Sequence, residues 1–285
     1  MRSPVLSSKG IHMLRSFYVC LALWLAGAAM VHAQSFTFVA YGDTRSHPAD
    51  HAAVVREIVK LHPEFVVQTG DLVADGRVAS QWAEFDRITK PLRDAHIPYY
   101  PTRGNHDRGD LYLNEVTQPF DSGTKSYYAF TRHGNRFIMI DDVLTPYGPG
   151  SAQYKWLVSE LAKGSSTAVN MFVVFHASPY SVGPHGPNPE AQRVLHPLFV
   201  KYKPRAVFCG HDHLYYRTKR DGVNYIVTGG GGAELYAPTH RSTAIPGDVF
   251  VRQHHVVYCV VSGKTVTGTA ITPSGKVIDR FTFGP

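Results

Sequence analysis

Cysteine is scarce in this chain of 285 residues, which has three cysteines: Cys20, Cys209 and Cys259. That number is too small for a disulfide-rich scaffold or for a metal cluster held by cysteines alone. Cys20 lies in an N-terminal apolar run, whereas the other two lie in strand-like apolar segments. If the chain is exported, Cys209 and Cys259 either form a disulfide or remain buried free thiols.

The chain also lacks the short motifs of several enzyme classes. It contains no Gly-x-Ser-x-Gly segment for a serine nucleophile and no Gly-x-x-x-x-Gly-Lys phosphate loop. Four glycines at 229–232 are followed by Ala-Glu rather than by Lys and a hydroxyl residue. We therefore expect a structural turn there and not a phosphate cradle.

A dense patch of positive charge is absent as well, although the formal net charge is +7. Arg2, Lys9 and Arg15 account for part of it, and without them 26 basic residues face 22 acidic ones. The basic residues are scattered, so specific nucleic-acid binding is not indicated. A mild positive excess favours anionic small-molecule substrates. The apolar content of 44% is that of an ordinary globular protein.

Long apolar runs are limited to the N-terminus. Arg15 precedes the run from Phe17 to Met30, and Val31-His32-Ala33 follows with an A-x-A-like pattern. This pattern predicts a signal peptide over 1–33 and a single mature domain over 34–285. The alternative is an uncleaved N-terminal anchor. With cleavage, we expect an exported protein, periplasmic or secreted, with no membrane segment.

Short apolar strands alternate with helical stretches through the first half of the chain. Ser35–Tyr41, Phe65–Val67 and Ile97–Tyr100 are predicted strands, and Pro48–Leu61 and Gln81–Ala95 have helical spacing. This alternation predicts βαβ units and a partly parallel sheet. Further helices are predicted over Gln153–Ala162 and Glu190–Lys201. The remaining predicted strands are 126–131, 136–140, Met171–Phe175, Ala206–Cys209, Tyr225–Val227, His255–Val261, Thr265–Ile271 and Val277–Phe283.

Polar motifs follow the ends of several predicted strands. Their candidate functional residues are Asp43, Asp71, Asn105, His106, Asp107, His176, His211 and His213. Ligands bind beyond the carboxyl ends of strands in such sheets, so these residues are expected to meet at one edge. Asp, Asn and His are suitable ligands for Mn, Fe, Zn or Co. The pattern predicts a site for two metal ions.

Each motif also has a simpler structural explanation. Asp43 has the side chain of a helix N-cap, the Gly-Asn-His-Asp segment at 104–107 has the composition of a turn, and a single His176 fits a hydrogen-bonded strand end. The recurrence of Gly-Asp at 42–43 and 70–71, together with Gly-His-Asp-His at 210–213, favours the metal site.

The order of these motifs resembles the calcineurin-like metallophosphoesterase superfamily, which includes the purple acid phosphatases. The resemblance covers about residues 36–235 and implies a four-layer sandwich of two mixed β-sheets flanked by helices. By position, it implies that Asp43, Asp71 and His213 hold a first metal, and that Asp71 bridges to a second metal completed by Asn105, His176 and His211. It further implies that a metal-bridging hydroxide attacks phosphorus in line. His106 would serve as the acid, with Asp107 supporting its ring.

The first metal site departs from the family pattern. Arg45 stands where the superfamily usually has a histidine ligand, and Ala74 stands where purple acid phosphatases have a tyrosine. Arginine stays protonated and cannot donate to a metal. Water, His47 or His51 is expected to complete that site, and Arg45 to bind either substrate phosphate or a surface carboxylate.

The leading hypothesis is an exported phosphomonoesterase with two divalent or trivalent metal ions, Mn, Fe or Zn, and a phosphorylated small molecule as substrate. A phosphodiesterase or nucleotidase is the rival enzyme, because pocket shape separates them and residue types do not. A non-catalytic binding module with a damaged first metal site is the third possibility, and Arg45 is the residue that favours it.

Overall fold

Fourteen strands form two sheets in the computed structural model, which describes residues 35–284. The strands are β1 Phe36–Tyr41, β2 Phe65–Gln68, β3 Tyr99–Pro101, β4 Ser122–Gly123, β5 Tyr128–Arg132, β6 Asn135–Met139, β7 Met171–Ala177, β8 Ala206–Gly210, β9 Tyr215–Arg220, β10 Val223–Thr228, β11 Val249–Val251, β12 Val256–Ser262, β13 Thr265–Ile271 and β14 Val277–Phe283. The helices are α1 Pro48–Leu61, α2 Ala79–Asp94, α3 Ala152–Thr167, α4 Pro189–Val194 and α5 His196–Tyr202. Short 3-10 turns lie at Asp110–Asn114 and Arg241–Thr243.

Both sheets are mixed: the parallel strands lie at one end of the first sheet and in the middle of the second. The first sheet has the order β14-β13-β12-β1-β2-β3, with β1, β2 and β3 parallel to one another. The second has the order β11-β9-β10-β8-β7-β6-β5-β4, with β6, β7, β8 and β10 parallel. In each sheet the carboxyl ends of the parallel strands lie at one edge. These two edges carry the polar motifs.

Aromatic side chains fill the space between the two sheets. Phe38 of β1 packs edge to face against Phe137, Phe172 and Phe208 of the second sheet, with ring centroids 5.2 to 5.8 Å apart. All four rings are fully buried. Each such ring removes a large apolar area from water, and edge-to-face pairs add to this stabilisation. This core holds the two sheets, and thus the two groups of motifs, in fixed positions.

Helices cover the outer faces of both sheets. Helices α1 and α2 pack against each other beside the first sheet, and α3 packs on β6 and β7 of the second. The predicted apolar face of α2, Trp82, Phe85, Ile88 and Leu92, is buried. The fold is therefore the predicted four-layer sandwich of two mixed sheets flanked by helices, and that prediction is confirmed.

Local boundaries differ from the predictions in several places. The predicted helix Glu190–Lys201 is divided into α4 and α5, because Pro197 lacks an amide hydrogen and begins a new helix. Strand β9 is not among the predicted strands, since its outward Arg217 and Lys219 obscure the apolar alternation. Strand β7 runs on to Ala177, so His176 lies within the strand and not after it.

Cys209 and Cys259 are both buried free thiols. They lie on strands of different sheets, β8 and β12, and pack in different apolar clusters. Of the two alternatives left open by the sequence, the structure shows the free thiols. Among residues 35–284, no helix is long and apolar enough to cross a membrane. The predicted signal peptide over 1–33 lies outside the described residues.

Candidate metal centre

The polar motifs meet at one edge of the sandwich. Asp43 and Asp71 follow β1 and β2, His176 lies near the end of β7, and His211 and His213 follow β8. Donor atoms of Asp43, Asp71 and His176 all lie within 4.8 Å of one another, and the three residues are buried. The carboxyl ends of strands from both sheets therefore form one compact cluster of metal-ligand types.

Three members of this cluster have a strained backbone. Asp43, Asp71 and His211 have φ values of 58°, 55° and 74°, in the left-handed region that residues with a Cβ rarely adopt. Such strain persists where the surrounding structure fixes it, commonly at functional sites. The turns also require close packing, because a Cβ at Gly210 would lie 2.4 Å from Asp43 Oδ2. The aspartates themselves, rather than their preceding glycines alone, make the sharp turns.

The second-metal side centres on Nε2 of His176. This atom lies 2.9 Å from Asn105 Oδ1, 3.1 Å from His211 Nδ1 and 3.5 Å from Asp71 Oδ1. The other ring nitrogen of His176, Nδ1, lies 2.9 Å from the carbonyl oxygen of Thr69. Since a carbonyl only accepts, Nδ1 carries the hydrogen and Nε2 has the lone pair of the neutral ring. The four predicted ligands of this side converge.

On the first-metal side, backbone groups likewise orient the side chains of Asp43 and His213. Nδ1 of His213 donates to the carbonyl oxygen of Glu234 at 2.7 Å, which leaves Nε2 facing Asp43 Oδ1 at 3.5 Å. The backbone amide of His211 donates to both carboxylate oxygens of Asp43 at 3.1 Å. This orientation by backbone and carbonyl groups is the arrangement that fixes metal ligands in proteins.

Arg45 contacts the carboxylate that both sides share. Its Nε donates to Asp71 Oδ2 at 3.3 Å, and its other nitrogens lie 3.4 Å from Ser46 Oγ and 3.5 Å from Tyr236 Oη. Its side chain is largely buried. Arg45 is thus held at the centre and is not a surface ion-pair partner.

Neither histidine suggested as a replacement ligand joins the cluster. The His47 side chain is half exposed and lies near Asp50, with 3.8 Å between Nδ1 and Oδ2. His51 is buried on α1, where its ring stacks on Phe85. The described side chains therefore leave the first-metal side with fewer protein donors than the second.

His106 lies at the open side of the centre, with its side chain 34% exposed. Its Nδ1 lies 2.7 Å from the carbonyl oxygen of Ala74, so Nδ1 carries a hydrogen. Nε2 lies 4.0 Å from Asp71 Oδ2. The ring therefore presents Nε2 to the centre, which is the position required for proton exchange with a bound ester.

Asp107 has a different role from the one expected. Its carboxyl group accepts hydrogen bonds from the backbone amides of Leu72, Val73 and Gly104, at 2.9, 3.1 and 2.8 Å. It therefore joins the loops after β2 and β3 and does not orient the His106 ring, which Ala74 holds instead. Burial, with the nearby Asp71, raises the pKa of Asp107 to about 8.

The shared carboxylate and the central imidazole perturb each other. Burial by itself would raise the pKa of Asp71, but His176, the amide of His106 and Arg45 hold it below its usual range. Burial by itself would lower the pKa of His176, but Asp71, Asp43 and Asp142 raise it to about 9. Burial and the neighbouring His176 lower the pKa of His211 to about 2. The buried carboxylates favour cations at this position.

Several supporting residues were not predicted. Asp142 accepts from the backbone amides of His176 and Ala177 at 3.0 and 2.8 Å, which fixes the end of β7. The ring of Tyr236 stacks on His213 with 4.0 Å between centroids. Asp142 stands two residues after the predicted strand 136–140, so its position near a strand end was the signal that could have revealed it.

The loop after β7 reaches back over the centre. The ring of His185 lies 3.9 Å from that of His211, centroid to centroid. Asp212 holds the loop by accepting from the amide of His185 at 3.1 Å and from the hydroxyl of Ser181. The loop therefore places His185 beside the second-metal side.

Residues 36–215 match the family model of the calcineurin-like phosphoesterases. The chain belongs to this family. A purple acid phosphatase from Glycine max is 31% identical in an alignment that covers 58% of this chain and 38% of the relative. Tartrate-resistant acid phosphatase type 5 from Oryctolagus cuniculus is 25% identical in an alignment that covers 89% of this chain and 91% of the relative.

The fold of this calcineurin-like phosphoesterase is also that of a solved plant enzyme. The structure of purple acid phosphatase PPD1 from yellow lupin (Lupinus luteus) aligns with a TM-score of 0.76 at 20% identity. The alignment covers 88% of this chain and 54% of the lupin chain. This chain thus spans little more than half of the lupin protein and less than half of the soybean relative.

Family membership and the donor set together indicate a dinuclear metal centre. The residues fit two ions, because three imidazoles, two carboxylates and an amide oxygen face one another, and backbone carbonyls orient the rings of His176 and His213. Asp71 lies between the two halves, with Oδ1 facing His176 and Oδ2 facing Arg45 and His106.

Proposed function

We propose that this protein is an exported, metal-dependent phosphomonoesterase. The observation that carries the proposal is the convergence of Asn105, His176, His211 and Asp71, with His106 presenting Nε2 to the same carboxylate. Asp43, Asp71 and His213 are the proposed ligands of the first metal, and Asp71, Asn105, His176 and His211 those of the second. Two ions in such a site supply an activated water and neutralise phosphate charge.

His106 is the proposed general acid. Its Nδ1 hydrogen is held by Ala74, so the protonated ring carries its second hydrogen on Nε2, towards the substrate. When the bond between phosphorus and the alcohol oxygen breaks, water supplies the new oxygen on phosphorus and His106 gives its Nε2 proton to the alcohol. A histidine suits this role because its ordinary pKa lies near working pH.

Arg45 supports a monoester over a diester as the preferred substrate. A monoester carries up to two negative charges on phosphate, and a guanidinium offers two parallel donors to such an anion. Arg45 already lies on the shared carboxylate, within reach of a phosphate at the centre. The names of the relatives agree with phosphatase activity.

The test is hydrolysis of 4-nitrophenyl phosphate and of bis(4-nitrophenyl) phosphate after loading with Fe, Zn or Mn. We expect turnover that a chelator abolishes, with the higher kcat/KM for the monoester. His106→Asn should lower kcat by about 10² to 10⁴ while leaving the metal content unchanged. The matched control is His133→Asn, on the β5–β6 hairpin, which should keep full activity. No turnover with any metal would contradict the proposal.

A second candidate is a non-catalytic binding module, and the contact between Arg45 and Asp71 is the observation that favours it. A fixed guanidinium on the shared carboxylate weakens the attraction of that carboxylate for a metal ion. Purified protein that holds no metal and gains no activity on addition of Mn, Zn or Fe would favour this candidate.

Export rests on the N-terminal pattern of Arg15, the apolar run to Met30 and Ala33. The corresponding test is the N-terminal sequence of the protein recovered outside the cytoplasm. We expect a mature chain that begins at Gln34, and a cell-associated chain retaining residues 1–33 would contradict export.

A further inference from the structure

A cleft of about 250 Å³ lies beside the metal centre, between the loops that follow β1 and β2 and helix α2. Two of its wall residues contact residues of the centre. Arg45 donates to Asp71 at 3.3 Å, and the carbonyl oxygen of Ala74 holds His106 at 2.7 Å. The cleft, called the α2 cleft below, therefore begins where a substrate phosphate and its proton donor would meet.

The walls of the α2 cleft combine apolar and polar groups. Phe85 and Ile88 of α2 supply buried apolar surface. His51 of α1 also lines the cleft, is 1% exposed, and its Nε2 has no hydrogen-bond partner among the described residues. Buried polar atoms are nearly always paired, so an unpaired imidazole nitrogen beside a cleft indicates a missing hydrogen-bonding group.

The charges around the α2 cleft narrow the chemistry of its occupant. Arg45 is the cation of the wall and faces the metal centre, while Glu84 lies on the α2 wall. Glu84 is half exposed and pairs with Arg87, and among the lining residues no second cation would meet another anionic group. Burial lowers the pKa of His51 to about 3, so its ring is neutral and adds no positive charge. The walls therefore suit an uncharged organic group.

The volume sets the size of the occupant. Pockets that enclose drug-sized ligands begin at about 300 Å³. The α2 cleft is smaller, so it accommodates a group of about one ring, with Phe85 and Ile88 in contact with its faces. Larger moieties would have to extend into solvent.

We propose that the α2 cleft binds the organic part of the substrate: an uncharged, ring-sized alcohol moiety with a hydrogen-bonding substituent for His51. This inference rests on the proposed function for the position of the phosphate, and it adds the class of alcohol. Arg45 stands at the boundary between the two parts, with the phosphate on the Asp71 side and the ring on the α2 side.

The experiment measures binding of phosphonates, which are not hydrolysed, to the metal-loaded full chain. Phenylphosphonate and methylphosphonate share the anion and differ in the ring. By titration calorimetry we expect the wild type to bind phenylphosphonate about tenfold more tightly, from burial of the ring. Ile88→Trp fills the cleft and should abolish this preference. Val78→Trp, at the exposed start of α2 and outside the cleft, should retain it.

A second variant tests the cleft without adding volume to α2. His51→Phe keeps the stacked ring on Phe85 but removes the unpaired nitrogen. The wild type should bind 4-hydroxymethyl-phenylphosphonate more tightly than phenylphosphonate. We expect His51→Phe to lose this second preference and to retain the preference for phenylphosphonate over methylphosphonate.

The inference is overturned if the wild type binds the phenyl and methyl compounds equally, or if Ile88→Trp keeps the preference for the ring. Because the readout is a ratio of binding constants, it does not depend on turnover. An inactive protein that still shows the ring preference would overturn the proposed function and support the cleft. An active protein without the preference would support the proposed function and overturn the proposed role of the cleft.

Discussion

The two halves of the metal centre differ in how completely the protein supplies their donors. On the second-metal side, Asn105, His211 and Asp71 place donor atoms within 3.5 Å of His176 Nε2. On the first-metal side, Asp43 and His213 face each other, and Arg45 lies on the shared carboxylate. The Asp71 carboxylate therefore faces the four converging donors on one side and the Arg45 guanidinium on the other.

Both sides draw on both sheets, so the difference arises in one loop. On the second-metal side, Asn105 and Asp71 follow strands of the first sheet, and His176 and His211 lie in or directly after strands of the second. On the first-metal side, Asp43 follows β1 and His213 follows β8, but the loop after β1 has Arg45 two residues after Asp43. A substitution in one loop is enough to weaken one side while the other remains intact. We therefore expect the two ions to be held unequally.

The largest effect is expected from His176→Asn. This change removes the nitrogen on which the second-metal donors converge, so the protein should lose one equivalent of metal and about a thousandfold or more in kcat. Metal analysis and turnover of 4-nitrophenyl phosphate measure both effects. Retention of two equivalents would show that His176 is not a ligand.

Asp142→Asn should have the next largest effect. The Asp142 carboxylate accepts hydrogen bonds from two backbone N–H groups at the end of β7. An asparagine would place its side-chain NH₂ group against one of these N–H donors, so that hydrogen bond would be lost. Loss of such supporting contacts costs about 10- to 100-fold in metal affinity. The control is Asp94→Asn, on the exposed face of α2, and an effect equal to that of the control would refute this role.

Arg45→His tests the weaker side directly. Replacing the guanidinium by an imidazole removes the competing cation and adds a nitrogen donor, so the affinity for the more weakly bound ion should rise about tenfold. Arg45→Leu removes the cation without adding a donor and separates the two causes. Metal titration of both variants is the measurement. An unchanged affinity in Arg45→His would show that the first-metal side is complete without this position.

The smallest effect at neutral pH is expected from His255→Gln, and the quantity affected is the free energy of unfolding. His255 lies behind the first-metal side. The His255 amide donates to Gly230, and Gly231 donates to Gly42 beside Asp43. Burial lowers the pKa of His255 to about 4, whereas an unfolded histidine titrates near 6.5. The unfolded chain alone takes up this proton between these values, so stability falls as the pH falls through that window.

Urea unfolding at pH 7 and pH 5 measures this contribution. Between pH 7 and pH 5, the wild type should lose about 2 kcal/mol more of its free energy of unfolding than His255→Gln, because glutamine does not titrate. His62→Asn, at the exposed left-handed residue that follows α1, serves as the control. Equal pH dependence in the wild type and His255→Gln would contradict the buried neutral state.

The sequence allowed the fold and the positions of the site residues to be predicted because both depend on local signals. The apolar spacing of α1 and α2 and the strand-end position of the motifs carry that information. The role of Asp107 was not predictable, since a residue adjacent to His106 in sequence can point to the opposite side of a turn. Its contacts with Leu72 and Val73 join loops that are distant in sequence.

The α2 cleft was equally hidden from the sequence. Its walls come from two loops and two helices, and small residues such as Ala74 give no signal of a cavity. The positive φ values of Asp43 and Asp71 have no signal in the sequence either, because residues with a Cβ rarely adopt them. Such features depend on tertiary packing and appear when both sheets are in place.

Titration of the metal-free protein with Zn²⁺, followed by calorimetry and by turnover in parallel, tests the unequal dinuclear centre most directly. An unequal centre should bind two equivalents with distinct affinities, of which the tighter is lost in His176→Asn and the weaker is strengthened in Arg45→His. Turnover should rise as the weaker site fills. A single equivalent, or two of equal affinity that Arg45→His does not change, would contradict it.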